Sequence, residues 1–447
     1  MELNEGTRKR GRASGGLAGE LDQDRLSALP DCLLHAIMSF LKARQVVQTC
    51  VLSTRWRNLW RTVPCLDVDL DEFKQAVKPL PEYSDPVHRF IDDSDSEDEY
   101  EDGEQWEDFE DFAVNLMLRR NISVLDSFRL SVRSSMVPYF GNRRAGTWVR
   151  RAMKYCGPDP SIQREGLSSS SWRLKRLHLC NVVLDTHFAD HVSSACHSLE
   201  DLELKDCTCL VNSINSRSLK RLVLKDCIWR QLSDITSSTL KSLVIDSGSN
   251  TRGFLLVITT PDVAYLRLTV GSGFGAGISI NGMPFLAKAS ITLCGGRASA
   301  LCRDQFKLLC SLSNVTSLEL SSFETMVMPD DSTAFGEFKN LRNLVLDACD
   351  LSDDFQTLGL FLQNSPNLEK LTLRCCNVLN DSKNKKGTPK SNKASSSQCR
   401  SLVDVQCKNL KNTEIIYEDD DIRQLVELLL RISGNLPKNN IKLTKVD

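Results

Sequence analysis

One short stretch of the chain combines cysteine and histidine at a spacing that could hold a metal ion. Cys180, His187, His191, Cys196 and His197 all fall within it. His187 and His191 are four residues apart, so a helix would place both imidazoles on one face, as zinc coordination requires. The alternative is the return segment of a structural repeat that carries ordinary surface histidines. We favour this alternative and predict no metal site, because Cys180 directly follows a predicted strand and Cys196 precedes the next repeat.

Other patterns that could support catalysis each lack a necessary residue. Segment 271–277 is rich in glycine, but no Lys-Ser/Thr pair of a phosphate-binding loop follows it, so we expect a turn between repeats. Cys207 and Cys209, and the adjacent Cys375 and Cys376, do not have the Cys-x-x-Cys spacing of common zinc or redox sites. No nucleophile elbow and no Ser/His/Asp arrangement is recognisable. We therefore predict no catalytic residue, no cofactor and no enzymatic activity of the chain itself.

Composition limits the class of protein. The chain has 447 residues, of which 41% are hydrophobic, enough for a folded core with extensions. Its net charge of -2 lacks the basic character of nucleic-acid binding, so no nucleic-acid partner is expected. No apolar run reaches transmembrane length and the N-terminus lacks a secretory apolar stretch, which predicts no membrane partner and an intracellular location, in the nucleus and/or cytoplasm. The 17 cysteines are then expected to be mostly free thiols.

The elements that would position functional residues begin with three short amphipathic helices at 24–63. Forty residues or so are too few to bury a self-sufficient core, so this segment is expected to need a partner. A second helix follows around Val46 to Val51, and Trp56, Leu59 and Trp60 share one face of a third. The apolar residues at helical spacing in the first helix are Leu29, Leu33, Ile37 and Leu41, with Leu34 and Phe40 beside them.

This segment resembles an F-box. The family pattern occurs in order as Leu-Pro from Leu29, Leu-Leu from Leu33, Ile37, Phe-Leu from Phe40, Val-Leu-Ser from Val51 and Arg-Trp-Arg-x-Leu-Trp from Arg55. The resemblance implies binding to a Skp-family adaptor and, through it, to a cullin. The alternative is a helical subdomain that packs on its own chain. The residues expected at the adaptor interface, or supporting it, are Leu29, Pro30, Leu33, Leu34, Ile37, Leu41, Val51, Trp56 and Trp60.

Most of the remaining chain repeats the frame Leu-x-x-Leu-x-Leu with small substitutions. The units start at Leu125, Leu174, Leu199, Leu219, Leu240, Val263, Leu286, Val315, Leu341 and Leu368. From Leu174 onward the spacing is that of leucine-rich repeats, in which stacked units create a common core. Four units continue to a cysteine, at Cys207, Cys227, Cys349 and Cys376, where a small inward side chain can bond loop backbone. The predicted fold class is an α/β solenoid, a leucine-rich-repeat horseshoe preceded by a small three-helix F-box.

The remaining segments complete the predicted domain organisation. Residues 92–111 are mostly Asp and Glu and are expected to be a solvated loop or tail that folding does not need. Residues 399–447 predict a strand–helix–strand unit that loosely resembles the C-terminal FBD module of plant F-box/leucine-rich-repeat proteins. The predicted division is a disordered basic tail at 1–22, the F-box at 23–63, a connecting segment at 64–124, leucine-rich repeats at 125–376, a disordered Lys/Ser-rich insertion at 377–398 and a capping unit at 399–447.

The resemblance implies the substrate-recognition subunit of an SCF-type, cullin-based ubiquitin ligase, with the repeats holding an unknown target protein. The alternative is a leucine-rich-repeat scaffold that engages the adaptor without promoting degradation. In each repeat strand the residues between the leucines face the opposite side of the sheet, so they line up on the concave face. Candidate target-binding residues on that face are Arg176, His178, Glu203, Arg221, Lys225, Tyr265, Arg267, Asp347 and Lys370.

Overall fold

The structure of the protein is a computed structural model. It describes residues 25–73, 95–132, 139–153, 174–194, 196–271, 274, 277–293, 308–323, 336–351, 355–377, 409–418, 422–433 and 439–446. The predicted tail at 1–22 and, beyond Asn377, the predicted insertion at 377–398 lie outside these residues, as does part of the glycine-rich segment 271–277.

Helices occur at both ends of the chain and between the repeats. The α-helices are α1 (Asp31–Met38), α2 (Ala43–Gln48), α3 (Asp95–Arg119), α4 (Tyr139–Met153), α5 (Thr186–Ser194), α6 (Gln356–Gln363) and α7 (Arg423–Ser433). The 3-10 helices are η1 (Thr49–Val51), η2 (Trp56–Thr62), η3 (Leu70–Phe73) and η4 (Ile122–Val124).

Strands account for most of the regular structure after residue 64. They are β1 (Cys65–Asp69), β2 (Ser127–Ser131), β3 (Arg176–Cys180), β4 (Val183–Leu184), β5 (Asp201–Lys205), β6 (Thr208–Cys209), β7 (Ser213–Ser216), β8 (Arg221–Lys225), β9 (Ile228–Trp229), β10 (Asp234–Ser237), β11 (Ser242–Asp246), β12 (Ser249–Asn250), β13 (Leu256–Thr259), β14 (Tyr265–Val270), β15 (Ile278–Asn281), β16 (Lys288–Leu293), β17 (Ser317–Ser321), β18 (Asn343–Asp347), β19 (Lys370–Arg374), β20 (Asn412–Tyr417) and β21 (Asn440–Lys445).

The N-terminal helices pack around a small apolar centre. Leu34 and Met38 of α1 and Trp56 and Trp60 of η2 are all buried there. The second predicted helix begins as α2 and tightens into η1, where the Leu52 amide donates to the Thr49 carbonyl at 3.1 Å. The third predicted helix is η2, which is also of the 3-10 type. Such tightening is common at helix ends and in short connecting turns.

A parallel sheet of thirteen strands, the main sheet, organises the repeats. Its order is β1-β2-β3-β5-β8-β11-β14-β16-β17-β18-β19-β20-β21, and two four-stranded parallel sheets, β15-β13-β10-β7 and β12-β9-β6-β4, accompany it. The predicted apolar frame is in register from strand to strand: Phe128 pairs with Leu177, and Leu177 with Leu202. The three apolar positions of every predicted unit are at most 2% exposed. The repeat periodicity is therefore confirmed, including the unit in which Ala289 and Ile291 replace leucine.

A left-handed residue ends many of the repeat strands. Positive φ values occur directly after β3, β5, β8, β11, β17, β18 and β19, at Asn181, Asp206, Asp226, Ser247, Ser322, Ala348 and Cys375. This bend turns the following residue toward the core. Cys207 follows such a bend, and its thiol donates to the Leu179 carbonyl of the preceding unit at 3.5 Å. Cys227, Cys349 and Cys376 make the same contact with Leu204, Leu320 and Leu346, at 3.4 Å each. The predicted structural role of these thiols is confirmed.

The prediction of a solvated loop at 92–111 is wrong from residue 95 onward, because these residues form the first turns of α3. Trp106 is 6% exposed and Phe109 is fully buried. Trp106 stacks on Trp148 of α4 at 6.4 Å, and its indole N–H donates to the buried Glu110 at 3.1 Å. The many acidic residues of this segment dominate its composition, so the buried helical face that carries these two aromatic side chains was not recognised from the sequence. We therefore expect part of 92–111 to be needed for folding, in contrast to the prediction made from its charge.

The main sheet extends beyond the predicted repeat segment 125–376 at both ends. At one end β1 pairs with β2 in parallel, so the sheet starts directly after the N-terminal helices. At the other end β20 pairs with β19 and β21 with β20. The helix between them, α7, buries Leu425 and Leu429. The predicted strand–helix–strand unit is confirmed, and it continues the sheet.

Candidate interaction surfaces

Five large apolar side chains between Leu33 and Leu52 are exposed. Leu33 and Ile37 lie one turn apart on α1 and are 49% and 41% exposed. Phe40 follows α1 and is 89% exposed, while Val51 and Leu52 are 82% and 57% exposed. We call these five side chains the apolar patch. Large apolar side chains that stay exposed within one short segment indicate an interaction site, because they gain free energy when a partner removes them from water.

The nine predicted adaptor residues divide into two groups in the structure. Pro30, Leu33, Ile37 and Val51 are exposed, and Leu29 and Leu41 are half-buried. Leu34, Trp56 and Trp60 are buried and hold the helices together from inside. The Trp56 indole N–H donates to the Ser27 hydroxyl at 2.9 Å, which fixes the segment before α1 onto η2.

Phe40 and Leu52 belong to the apolar patch but were not among the nine predicted residues. Each stands beside a predicted residue, in the pairs Phe40-Leu41 and Val51-Leu52. The periodicity of a short helix shows that both members of such a pair are apolar. It does not show which of them faces the partner, because that depends on where η1 and η2 pack.

The N-terminal helices are joined firmly to the main sheet. Lys42, between α1 and α2, forms an ion pair with Asp69 of β1. The hydrogen bond to Asp69 outweighs the effect of burial and raises the pKa of Lys42. Arg120, after α3, is 5% exposed and donates to the Trp60 carbonyl at 3.1 Å. Burial lowers the pKa of Arg120 to about 10. These contacts fix the orientation of the apolar patch relative to the repeats.

The polar face of the main sheet carries the predicted target-binding residues. On β3, β5 and β8 they form one network: Arg221 binds Asp201 at 2.8 Å and Glu203 at 3.3 Å. Lys225 approaches Glu203 at 3.8 Å, and His178 approaches Asp201 at 3.5 Å. Most charges on this part of the face are therefore neutralised by ion pairs between neighbouring strands. Such pairs form because side chains on the same face of adjacent strands lie opposite each other.

The other predicted residues lie further along the same face. Arg267 on β14 pairs with Asp246 at 3.6 Å, and the Lys288 ammonium lies 5.9 Å from the Tyr265 ring centroid. The carboxylate of Asp347 on β18 meets Arg374 at 3.4 Å. Lys370 on β19 pairs with Glu414 at 3.4 Å. Arg176 is exposed and has no ion-pair partner among the described residues. The structure therefore places all nine candidates on one face but spreads them over six strands, which is the width of a protein interface and not of a small-molecule site.

Asp201 is the carboxylate of this network whose pKa is shifted by its neighbours. Burial would raise the pKa of Asp201, but the close approach of His178 and the hydrogen bond from Arg221 outweigh burial and lower the pKa below its ordinary value. The side chain is therefore charged at neutral pH, and it forms an ion pair with Arg221 at 2.8 Å.

The candidate zinc ligands do not converge. The ring of His191 contacts the His187 carbonyl at 3.0 Å, and the Cys180 thiol lies 3.9 Å from Asp206. Cys196 is buried after α5. Within the described part of the chain, no three His, Cys, Asp or Glu side chains are arranged to hold a metal ion. Across these same residues, no helix has the length and apolarity needed to span a membrane.

Comparisons with known proteins match the N-terminal helices and the repeat region to two separate protein families. Residues 26–67 match the F-box domain family, and residues 215–441 match the family described as "At1g61320/AtMIF1, LRR domain". The chain is 30% identical to the MEIOTIC F-BOX protein MOF of Oryza sativa subsp. japonica, over 95% of this chain and 86% of that protein. It is 26% identical to the F-box/FBD/LRR-repeat protein At5g56420 of Arabidopsis thaliana, over 79% of this chain and 77% of that protein.

A further relative is similar to this chain over one short segment only. The F-box/FBD/LRR-repeat protein At5g22660 of Arabidopsis thaliana is 50% identical over 54 residues, which are 12% of each chain. The match of the F-box model, the match of the repeat model over half of the chain and the full-length similarity to the rice protein agree with each other. The protein belongs to the plant F-box/leucine-rich-repeat family.

Proposed function

We propose that this protein is the substrate-recognition subunit of an SCF-type, cullin-based ubiquitin ligase. The apolar patch binds a Skp-family adaptor, which links the chain to a cullin. The polar face of the main sheet binds a target protein. The chain supplies no catalytic residue and acts by holding the target close to the ubiquitin-conjugating enzyme. Its role is to raise the effective concentration of target lysines at a remote active site.

The observation that carries this proposal is the exposure of Phe40, Val51 and their neighbours in a segment that matches the F-box family. A Phe side chain that is 89% exposed buries little of its apolar surface in the isolated chain. Large aromatic and aliphatic side chains at the centre of an interface are the ones that dominate binding energy. The apolar patch thus has the composition of a binding surface for another protein.

The second part of the proposal concerns the repeats. In this proposal the main sheet lines the concave side of a horseshoe, and the target lies against Arg176, Arg221, Tyr265 and Arg267. Arginine and tyrosine are enriched among the residues that dominate interfaces. The firm junction through Lys42 and Arg120 supports a fixed distance between target and adaptor. We place the protein inside the cell, in the nucleus and/or the cytoplasm, where a cullin complex would meet it.

Reconstitution with purified components tests the proposal. The full-length protein, co-expressed with a plant Skp-type adaptor, is mixed with cullin, RING subunit, ubiquitin-activating and ubiquitin-conjugating enzymes. We expect the adaptor and cullin to co-elute with the protein and ubiquitin chains to form on it or on a bound target. Co-elution without any ubiquitin transfer would support the alternative of a non-degradative scaffold. Failure of the adaptor to co-elute would contradict the proposal.

A further inference from the structure

A groove of about 350 Å³ lies on the polar face of the main sheet, next to the N-terminal helices. Its floor is formed by a row of residues in register: Asp69 pairs with Ser131, Ser131 with Cys180, and Cys180 with Lys205. The two middle residues have small side chains, while long charged side chains flank them. Because neighbouring strands are about 4.8 Å apart, the two small residues open a gap of roughly 14 Å between β1 and β5.

Most charges around this groove are already compensated. Lys42 pairs with Asp69 on the side of the N-terminal helices. In the next row, Arg129 pairs with Asp67 at 3.4 Å and contacts the ring of His178 at 3.2 Å. Glu203, at the far end of that row, is held by Arg221. These groups therefore have little capacity left for an additional charged ligand.

Lys205 is different from Lys42 and Arg129, the other Lys and Arg residues that line the groove, because both of those form ion pairs. The described residues offer no carboxylate within ion-pair distance of its ammonium, although Lys225 on the adjacent strand β8 approaches Glu203. Ser131, in the same row, has a hydroxyl without a hydrogen-bond partner in the described part of the chain. The floor of the groove thus presents one uncompensated cation and one unused hydroxyl donor. A carboxylate is the group that can accept from both kinds of donor.

We propose that this groove binds an acidic segment of the target protein, with a target Asp or Glu carboxylate on Lys205. This inference rests on the proposed function and specifies the chemistry of the target. The groove lies at the end of the polar face nearest to the apolar patch. A target anchored there is held close to the adaptor, which shortens the path from target to the rest of the ligase.

Peptide pools test the proposal with defined probes. The full-length protein in complex with its adaptor is applied to immobilised short peptides of random background with a central Glu-Glu, Gln-Gln or Lys-Lys pair. We expect the wild-type complex to retain the Glu-Glu pool at least about fivefold more strongly than the Gln-Gln pool, the effect of one half-buried ion pair. Lys205→Met should abolish that preference, and Lys205→Glu should reverse it in favour of the Lys-Lys pool.

The control variant is Lys220→Glu, because Lys220 pairs with Glu200 in the turn before β8 and does not line the groove. It should behave as wild type. Equal retention of the three pools by wild type, a preference for Lys-Lys, or an unchanged preference in Lys205→Glu would each overturn the inference. Adaptor binding is measured on the same samples. Its loss would count against the proposed function, whereas its retention without a peptide preference counts against the acidic-target inference alone.

Discussion

Gly248 lies directly against the backbone of Cys227. A Cβ atom on Gly248 would lie 2.4 Å from the Cys227 carbonyl oxygen, far inside van der Waals contact. Gly248 also has a φ of +93°, a conformation that residues with side chains rarely adopt. It occupies the repeat position at which Cys207, Cys227 and Cys349 turn their thiols inward. Close stacking of adjacent units therefore requires glycine at this one position.

We expect Gly248→Ala to lower the free energy of unfolding by about 3 kcal/mol or more, from the sum of backbone strain and steric overlap. The matched change is Ala348→Gly, at a left-handed position with a φ of 49°, which should alter stability by less than about 1 kcal/mol. Urea denaturation of both variants measures the difference. An unchanged midpoint for Gly248→Ala would contradict the packing of these units.

We expect the acidic helix α3 to be essential for folding, although its many Asp and Glu residues favour a solvated segment. Trp106→Ala and Phe109→Ala each remove a buried aromatic side chain and should cost about 3–5 kcal/mol. Glu107→Gln and Asp108→Asn, on the exposed side of the same helix, should cost less than about 0.5 kcal/mol. Thermal unfolding followed by circular dichroism compares the four variants. Similar melting temperatures for all four would show that α3 does not dock.

Two of the inward thiols, those of Cys207 and Cys376, should react slowly with alkylating reagents while the protein is folded. Burial raises the pKa of the Cys207 thiol well above its ordinary value and that of Cys376 to about 12. Cys32 on α1 is exposed. Iodoacetamide at neutral pH should therefore modify Cys32 rapidly and the thiols of Cys207 and Cys376 only after denaturation. Mass spectrometry of tryptic peptides gives the rates, and fast labelling of Cys207 in the native protein would refute the assignment.

The Asp201 network predicts a dependence of stability on acid pH. Because the pKa of Asp201 is lowered in the folded state, its stabilising contribution is present above its ordinary pKa and is lost as the pH falls through the folded value. Arg221→Met removes one cause of that shift. The stability difference between wild type and Arg221→Met should thus be largest near neutral pH and shrink below about pH 4.

Arg176→Met is the control for this pH series, since Arg176 lies on β3, next to the strand β5 that carries Asp201, and has no ion-pair partner among the described residues. Its stability difference from wild type should not change over the same pH range. Chemical denaturation at several pH values measures both variants. A pH-independent difference for Arg221→Met would show that its contacts with Asp201 do not affect stability.

Much of the repeat architecture could be predicted because its signal is local. Each Leu-x-x-Leu-x-Leu frame specifies a strand with one buried face, and stacking then leaves one possible register. This logic holds even where Ala289 replaces leucine, because the neighbouring Leu266 and Leu318 fill the same row. The inward position of Cys207 follows from the same frame.

Features that depend on packing between distant segments could not be predicted in this way. The burial of Trp106 depends on Trp148, which is separated from it by more than forty residues of chain. The division of the F-box residues into exposed Phe40 and buried Trp60 depends on how η2 packs under α1. The groove beside Lys205 arises from the coincidence of Ser131 and Cys180 on adjacent strands, which no single repeat reveals.

The affinity for a Skp-type adaptor tests the central claim most directly. Phe40→Asp places a charge in the apolar patch and should weaken binding by about 2 kcal/mol or more, roughly thirtyfold in Kd. Phe285→Asp changes an equally apolar side chain that is 67% exposed but lies between β15 and β16, far from the F-box in sequence. Isothermal titration calorimetry with the purified adaptor should give wild-type affinity for Phe285→Asp and the loss for Phe40→Asp. Equal affinities of wild type and both variants would contradict the account.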